Sequence, residues 1–469
     1  MTAIWAMDAT ALAAEIAHGR LSARQAVSAT LDRLAAVNPR INAITLVTAE
    51  AALAEAEAAD AAQARGDALG PLHGVPITTK INTDQTGLPT DNGIAAAANL
   101  IAEQDSPVIA NLRRAGAIVI GRTNAPVFSM RWFTDNSLHG QTLNPWDAAL
   151  TCGGSSGGAA AAVAAGIGPL AQGNDIGGSV RYPAYCCGIT GLRTTYGRVP
   201  ALNFTAKGAR SLSSHLMAVP GPIARSVRDL RLGLAAMAAG SPHDTRWVDV
   251  PLQGPPPPRP IRVALCVDPS GDGVAPEVAE TVRAAGKALA AAGYQVEEVA
   301  PPDLNGTADL WLRLALDDIL SSLGPAIETY GDDNARRSLR LLMEGKSASG
   351  SLSDYLVALG ERDTRLRDWQ LFLERHPLLV MPVSAAAPLP IDYDLRDGAT
   401  TAGLIAAQRP LLAVSVLGLP AVSVPALHRA GSIPLGVQVV AGRYREDLCL
   451  AAAEAIEAHA GIHAPIDPK

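Results

Sequence analysis

The sequence has few of the residues that mark nucleic-acid-binding or disulfide-stabilised proteins. It contains 5 cysteines and no cysteine or histidine spacing suited to zinc, so we expect neither a disulfide framework nor a metal site. Its net charge is -7, and no basic stripe interrupts it, which argues against nucleic acid as a partner. Charged residues make up 18% of the chain and hydrophobic residues 48%. This balance excludes a disordered protein and predicts a large buried core.

Long hydrophobic runs are also missing. The longest apolar stretch, residues 411–427, contains Pro420 and Pro425 and falls short of the ~20 residues that span a membrane. It predicts a buried helix followed by a buried strand, with no membrane partner. The opening residues, MTAIWAMDAT, have neither the basic nor the apolar segment of a signal peptide. We therefore expect a reducing, cytoplasmic location.

The order of the predicted elements indicates a layered α/β fold. The N-terminal region is helical, and Pro39 is predicted to end its second helix. Short apolar runs bounded by glycine, such as Gly74–Lys80 and Ala117–Gly121, predict buried strands. Strands and helices then alternate, apart from a variable, mainly helical region at about 307–375. A Pro-rich connector at 251–260 is expected to be extended and to bridge two parts of one sheet.

Two clusters of glycine and serine carry the strongest chemical signal. They are GGSSGG at 153–158 and GGS at 177–179. Glycine beside serine lets the backbone approach a substrate, and successive N–H groups in such turns can converge on an oxyanion. Asp175 and Arg181 flank the second cluster, which we expect them to brace through an ion pair. The segment therefore suits a serine nucleophile.

The residues themselves leave open which base activates that serine. The 9 histidines are scattered and have no recognisable catalytic context. Lys80 ends the apolar run GVPITT, and desolvation would favour its neutral amine, which can act as a base. Lowering a lysine pKa from ~10.4 to near 7 takes roughly 4.6 kcal/mol, which a buried polar site can supply. On position alone, a strand-end lysine that reaches solvent is the favoured interpretation.

Several motifs, in this order, resemble those of the amidase signature family. They are GVPITTK, GGSSGG, NDIGGSVRYPA and GLRTTYGR. Ser155 follows Lys80 by 75 residues and Ser179 follows Ser155 by 24, spacings similar to those of related amidases and of the A subunit of the glutaminyl-tRNA amidotransferase. The resemblance is strongest over a signature core at about 70–230. It implies a single large α/β/α domain, residues 1–469, around a mixed, twisted sheet.

The resemblance also implies a catalytic triad. Ser179 would be the nucleophile, Ser155 would follow a cis peptide bond and relay its proton, and neutral Lys80 would be the base. Water would then cleave the acyl-serine, without a metal or an organic cofactor. Backbone N–H groups would form the oxyanion hole, at Ile176, Gly177, Gly178 and Ser179.

Some positions depart from the family pattern. Ile81 and then Asn82 follow the lysine, where many relatives have Asp directly. Asn174 stands where Ser or Thr is usual, and Thr194 where proline is common. None of these changes removes a catalytic group of the family. Together they indicate divergence from the transamidation enzyme.

The substrate pocket is predicted beside Met130. Residues 122–133 resemble a family loop near the acyl site, in which glycine often follows the methionine, whereas Arg131 and Trp132 follow it here. We expect these three residues to shape a pocket for an aromatic or extended substrate. A surface arginine and a core tryptophan are the alternative interpretation. Cys152 is expected to line the site or to pack, because no base is paired with it.

The predicted function is hydrolysis of small aryl or aliphatic amides, extending to anilides, carbamates (urethanes) or esters. One alternative is the glutamine-hydrolysing A subunit of a tRNA-dependent amidotransferase, which needs partner proteins. A lower alternative is an α/β-hydrolase-type esterase, since residues 153–157 match G-x-S-x-G, although no convincing strand precedes them. A binding subunit without activity is disfavoured by the retained triad. The oligomeric state stays open, with a homodimer among the options.

Overall fold

The structure is a computed structural model that describes residues 3–206, 208, 210–344, 351–462 and 464–469. One of the nine histidines, His463, lies outside these residues, as does the 345–350 part of the predicted helical region.

Strands in the described residues form one mixed, 11-stranded sheet. Its spatial order is β1-β3-β2-β4-β6-β5-β10-β11-β9-β7-β8, with strands numbered along the chain. The strands are β1 Ile44–Val47, β2 Pro76–Lys80, β3 Ile118–Thr123, β4 Leu170–Asp175, β5 Thr190–Arg193, β6 Val219–Ala224, β7 Arg262–Leu265, β8 Gln295–Glu298, β9 Leu378–Pro382, β10 Ala421–Leu427 and β11 Leu435–Ala441.

Helices cover the sheet. They are α1 Ala9–Ala17, α2 Ala23–Ile41, α3 Ala49–Arg65, α4 Pro107–Arg114, α5 Gly157–Ala164, α6 Arg181–Cys186, α7 Leu212–Met217, α8 Val227–Met237, α9 Pro276–Ala291, α10 Leu304–Asp318, α11 Gly324–Tyr330, α12 Asp333–Met343, α13 Leu352–Arg375, α14 Gly398–Leu417 and α15 Glu446–Ala460.

Alternate residues of each strand pack into different cores. In β9, Leu378 and Val380 pack with residues of α8, α9 and α15. Leu379 and Met381 of the same strand pack with residues of α10, α13 and α14. Successive side chains of a strand point to opposite faces of the sheet, so helices lie on both faces. The predicted α/β fold class, with a mixed sheet between helical layers, is confirmed.

The apolar stretch at 411–427 is part of the core. It comprises the end of α14 and the whole of β10, as predicted. By length and composition α14 could cross a membrane, but 67% of its most apolar stretch is buried inside the fold. The strands before and after the Pro-rich connector at 251–260 belong to the same sheet, because β7 pairs in parallel with β9.

The prediction that Pro39 ends the second helix is wrong. Helix α2 continues through Pro39 to Ile41. The proline removes a single backbone N–H from the last turn. The neighbouring Asn38 stabilises the following chain instead, since its Oδ1 accepts from the N–H groups of Ala43 and Ile44, both at 2.9 Å.

Candidate active site

Three side chains from separate segments lie at the ends of β2 and β4. Lys80 is the last residue of β2, Ser155 lies in the loop before α5, and Ser179 lies in the loop after β4. The Gly154–Ser155 peptide is cis, as the resemblance implies. A Cβ at Gly154 would lie 2.5 Å from the carbonyl oxygen of Arg131. Glycine is therefore needed for this loop to pack where it does.

The structure brings Lys80 and Ser155 into direct contact. Nζ of Lys80 lies 2.7 Å from Oγ of Ser155. Ser179 is 5% exposed, and its carbonyl oxygen accepts from the N–H of Ser156 at 3.2 Å. Its Oγ makes no hydrogen bond with any residue that the structure describes. Ser179 is thus held beside the pair by its backbone, while its hydroxyl is uncommitted.

Lys80 does not reach solvent. Its exposed fraction is 0%, which excludes the interpretation favoured by position alone. Burial lowers the pKa of Lys80 well below its ordinary value, and the carboxylate of Asp175 opposes this shift only in part. The amine contacts Ser155, Ser156 Oγ at 3.1 Å and Asn174 Oδ1 at 2.9 Å. None of these three partners carries a formal charge, so the neutral amine is favoured.

The hydrogen-bonding groups decide which neighbour donates to Lys80. A neutral amine has two N–H donors and one lone pair. Asn174 Oδ1 can only accept, because the amide nitrogen of Asn174 donates to Asn82 Oδ1 at 2.8 Å. The hydroxyl of Ser156 donates to the carbonyl oxygen of Asn174 at 3.4 Å, so it also accepts from Lys80. The hydroxyl of Ser155 is therefore the group that donates to the lone pair on Nζ of Lys80. When it gives up this hydrogen, the oxygen of Ser155 can accept a proton from another group.

The two asparagines that depart from the family pattern contact each other. Asn82 and Asn174 are 92 residues apart in the chain, and their amide groups pair at 2.8 and 3.4 Å. Asn82 also donates to Oγ of Ser129 at 2.9 Å. The pair therefore connects Lys80 to the wall of the adjoining cavity. No local sequence pattern predicts this contact, although both positions differ from the family pattern in the sequence.

A second buried cluster lies directly behind the proposed oxyanion loop. Asp175 and Arg181 form an ion pair at 3.0 Å, and Arg193 binds the same carboxylate at 3.0 Å. All three side chains are fully buried. Burial alone would raise the pKa of Asp175, but the two guanidinium groups hold it below its ordinary value. Sequence reasoning anticipated Arg181 and missed Arg193.

The four predicted oxyanion amides are not equivalent. The N–H of Gly178 donates to Oδ1 of Asp175 at 2.8 Å, so this amide already has a partner. For Ile176, Gly177 and Ser179, no backbone N–H partner is found among the described residues. These three amides are the ones available to a developing negative charge.

A cavity of about 510 Å³ adjoins the lysine cluster. Ser155, Asn174 and Ile176 lie on its wall, so the cavity reaches two hydrogen-bond partners of Lys80 and the first residue of the loop after β4. Much of the remaining wall is apolar and holds two aromatic rings, with a polar group formed by α7 and the end of α10. The apolar residues include Phe128, Met130, Met217, Trp311, Ile319 and Leu323, and the polar ones include Ser211, Ser214 and Asp318.

Of the four residues predicted for the pocket, Met130 lines this cavity and the others do not. Arg131 is buried and pairs with Asp394 at 2.7 Å, a partner 263 residues away that local sequence does not reveal. Trp132 donates its indole N–H to the carbonyl oxygen of Gly177 at 2.9 Å. Arg131 is therefore neither a pocket arginine nor a surface arginine.

The cysteines are all buried free thiols. The Sγ of Cys152 lies 3.4 Å from the carbonyl oxygen of Thr142, away from the cavity wall. Burial raises the pKa of Cys152 to about 12, so its thiol stays protonated and packs rather than reacts. Across the described part of the chain, no group of three His, Cys, Asp or Glu residues is placed to hold a metal ion.

Comparisons with known proteins match this architecture over nearly the whole chain. The Amidase family model matches residues 25–450. The chain is 45% identical to indoleacetamide hydrolase of Bradyrhizobium diazoefficiens, over 98% of this chain and 87% of that protein. It is 33% identical to the A subunit of glutamyl-tRNA(Gln) amidotransferase from Moorella thermoacetica, over 94% of each chain. The structure of 6-aminohexanoate cyclic dimer hydrolase complexed with substrate superimposes with a TM-score of 0.84 at 27% identity, over 100% of both chains.

Proposed function

Because the chain belongs to the amidase family and is an amide-hydrolysing enzyme, we propose that it acts alone on small aryl-bearing amides through an acyl-serine intermediate. The observation that carries this proposal is the 2.7 Å contact between the buried amine of Lys80 and the hydroxyl of Ser155, on the border of an apolar cavity. It provides a base that needs no histidine.

In the first step, Oγ of Ser179 attacks the amide carbon and gives its proton to Oγ of Ser155. Ser155 passes its own proton to the lone pair of Lys80. A C–O bond forms while the carbonyl π electrons move to oxygen. The resulting oxyanion accepts hydrogen bonds from the free N–H groups of the loop, at Ile176, Gly177 and Ser179.

In the second step, the C–N bond breaks and the leaving nitrogen takes back the proton from Lys80 along the same relay. Water then attacks the acyl-Ser179 ester and gives its proton to the relay. The carboxylic acid leaves and Ser179 regains its hydrogen. The sum is one amide plus one water giving one acid plus ammonia or an amine.

The hydrogen bond from Ser179 to Ser155, the first transfer of this relay, is expected to form when substrate binds. Oγ of Ser179 has no partner in the described part of the chain, so it can rotate toward both the substrate carbonyl and Ser155. Catalytic hydrogen bonds are often long or misaligned without substrate and tighten in the Michaelis complex. The contact between Ser155 and Lys80 is already formed at 2.7 Å.

The cavity wall supports an aryl substrate. Phe128 and Trp311 present aromatic surface, which favours burial of a ring. Oδ2 of Asp318 accepts from both Ser211 and Ser214, while its Oδ1 has no hydrogen-bond partner among the described residues. This carboxylate can therefore accept from a ring N–H. Indole-3-acetamide has both features, and a 45%-identical relative is an indoleacetamide hydrolase.

The test follows ammonia or amine release by the purified chain alone. The panel is indole-3-acetamide, phenylacetamide, propionamide, glutamine, an anilide and an aryl carbamate. We expect the fastest turnover on indole-3-acetamide and none with Ser179→Ala. The matched control is Ser423→Ala, which removes another buried hydroxyl, one without a hydrogen-bond partner, and should leave the rate unchanged.

Two results would count against this function. Wild-type-like activity in Ser179→Ala would remove the nucleophile from the account. Glutamine hydrolysis that occurs only with added partner proteins would support the amidotransferase alternative instead.

A further inference from the structure

Two tryptophans from distant segments bind the proposed oxyanion loop. Nε1 of Trp311, in α10, donates to the carbonyl oxygen of Ile176 at 2.7 Å. Nε1 of Trp132, in the segment after β3, donates to the carbonyl oxygen of Gly177 at 2.9 Å. Two consecutive carbonyl groups of the loop are thus each held by an indole. Neither indole was anticipated as a ligand of this loop.

The peptide planes translate these contacts into amide directions. Both peptides are trans, and in a trans peptide the N–H points opposite to the preceding C=O. Trp311 holds the carbonyl of Ile176 and so sets the direction of the Gly177 N–H. Trp132 holds the carbonyl of Gly177 and so sets the Gly178 N–H, which donates to Asp175 at 2.8 Å on its other side.

The two planes therefore differ in one respect. The second plane is held at both ends, by Trp132 and by Asp175. The first plane is held only at its carbonyl end, by Trp311, and the Gly177 N–H has no partner within the described residues. Of the N–H groups in these two planes, that of Gly177 is therefore the one free to bind an oxyanion.

Packing shows that the loop accommodates the indole closely. A Cβ at position 177 would lie 2.8 Å from Cζ2 of Trp311, a distance that real Cβ contacts do not show, so only glycine permits this approach. Both tryptophans are partly buried and pack against the core formed with α10, α13 and α14. The rings are therefore anchored by the fold and not by the loop that they bind.

We propose that Trp132 and Trp311 are positioning residues that preorganise the oxyanion hole. This inference rests on the proposed function, in which the loop amides stabilise the tetrahedral oxyanion. Without the indole N–H groups the peptide planes can rotate, and a carbonyl oxygen can face the substrate in place of an N–H. A carbonyl dipole repels the developing anion, so the transition state loses more stabilisation than the bound substrate does.

The experiment compares Trp132→Phe, Trp311→Phe and the double variant with Trp146→Phe. Trp146 also donates its indole N–H to a carbonyl, that of Cys187 at 2.9 Å, away from the loop. We expect kcat to fall about tenfold in each loop variant, less than the ~10²–10³ caused by removing an oxyanion donor itself. KM should stay nearly unchanged in Trp132→Phe, and the control should keep its kcat. Trp311 also lines the cavity, so for Trp311→Phe the fall in kcat is the result that tests the positioning role.

The affinity for a transition-state analogue distinguishes positioning of the oxyanion hole from a general effect on folding. An aldehyde analogue of the substrate adds to Ser179 and places its oxygen in the hole. Its affinity should fall by the same factor as kcat/KM, while the affinity for the carboxylic acid product should not. Replacing each tryptophan by benzothienylalanine, whose ring has sulfur in place of N–H, keeps the shape of the side chain and should give the same loss.

The outcomes separate this inference from the function beneath it. Unchanged kcat in both benzothienylalanine variants, with Ser179→Ala inactive, would overturn the positioning role and leave the proposed function intact. A rise in KM with unchanged kcat would also overturn the positioning role, because the indoles would then contribute to substrate binding alone. An active Ser179→Ala variant would instead remove the function on which the inference depends.

Discussion

Two buried polar clusters lie side by side in this protein and treat charge in opposite ways. Around Lys80 the hydrogen-bond partners are hydroxyl groups and an amide, and burial favours the neutral amine. Around Asp175, Arg181 and Arg193 hold a carboxylate in its ionised form. Strand β4 supplies both clusters, since Asn174 contacts the lysine and Asp175 contacts the arginines. Consecutive side chains of a strand point to opposite faces, which keeps the clusters apart.

The difference shows how the proposed base and a rigid loop can coexist in one core. Two guanidinium groups bind the carboxylate of Asp175, and its effect on the pKa of Lys80 is smaller than that of burial. The same carboxylate holds the N–H of Gly178 and thereby the loop. Residue 174 lies at the boundary between the two clusters, and its lack of charge favours the neutral form of Lys80. Substitutions that move charge across this boundary should therefore have the largest effects.

Removing the proposed base should have the largest effect on the rate. We expect Lys80→Met to lower kcat by about 10⁴- to 10⁶-fold, as when the base of a serine hydrolase is removed. The assay is release of ammonia from indole-3-acetamide. Lys287→Met, on an exposed face of α9, is the control and should retain its rate. A loss of less than about tenfold would mean that another group accepts the proton.

The same pair of variants tests the protonation state through stability. At pH values between the lowered pKa of Lys80 in the folded chain and about 10.4 for an unfolded lysine, Lys80 holds a proton in the unfolded chain but not in the folded chain. The free energy of unfolding therefore rises with pH in this window because of Lys80. In Lys80→Met this rise should be smaller than in the wild type, measured by denaturant unfolding at pH 7 and pH 9. Lys287→Met should keep it.

Breaking the ionised cluster should affect stability next most strongly. Asp175→Asn leaves two buried guanidinium groups without their anion, a loss of about 3–5 kcal/mol in the free energy of unfolding. Chemical denaturation measures it, with the exposed Asp249→Asn as the matched change. A loss below about 1 kcal/mol, on the scale of a surface ion pair, would contradict the role given to this carboxylate.

Placing a charge at the boundary should have an intermediate effect. In Asn174→Asp a carboxylate replaces the amide beside Lys80 and should raise the lysine pKa by about 1–3 units. The rate should then fall at pH 7 and recover as the pH rises, because the neutral amine returns. Asn174→Ser provides the uncharged comparison. If kcat/KM decreased at the same acidic pH in both variants, a charge at position 174 would not control the pKa of Lys80.

The smallest effect is expected at the end of the amide chain. Asn82→Ala removes the link from Asn174 to Ser129, which is worth about 0.5–1.5 kcal/mol for a typical hydrogen bond, or roughly a tenfold change in kcat/KM at most. Combined with Asn174→Ser, the losses should be less than additive, because the two residues act as one unit. Strictly additive losses in this double-mutant cycle would show that Asn82 and Asn174 act independently.

Sequence reasoning predicted the three catalytic residues from local motifs. Lys80 ends an apolar run, and Ser155 and Ser179 lie in glycine-rich turns, so strand and loop positions followed from short patterns. The contact of Lys80 with Ser155 then required only the order of the motifs and their resemblance to a family. The α/β layering followed in the same way, from buried strands alternating with helices.

The remaining features depend on partners that are distant in the chain. Arg131 was expected in the pocket, but its partner Asp394 is 263 residues away, and ion pairs of that separation leave no local pattern. Trp311 reaches Ile176 across 135 residues. Arg193 joins Asp175 only because their strands lie near each other in the sheet. Such contacts become visible only when the sheet order is known.

The charge of Lys80 at pH 7 decides whether its amine can act as the base. With ¹⁵N-labelled lysine, the Nζ signal of this residue can be assigned by its absence in Lys80→Met. We predict a neutral amine at pH 7 that titrates well below the ordinary lysine value. An ammonium group that persists at pH 7 and titrates near 10.4 would contradict it.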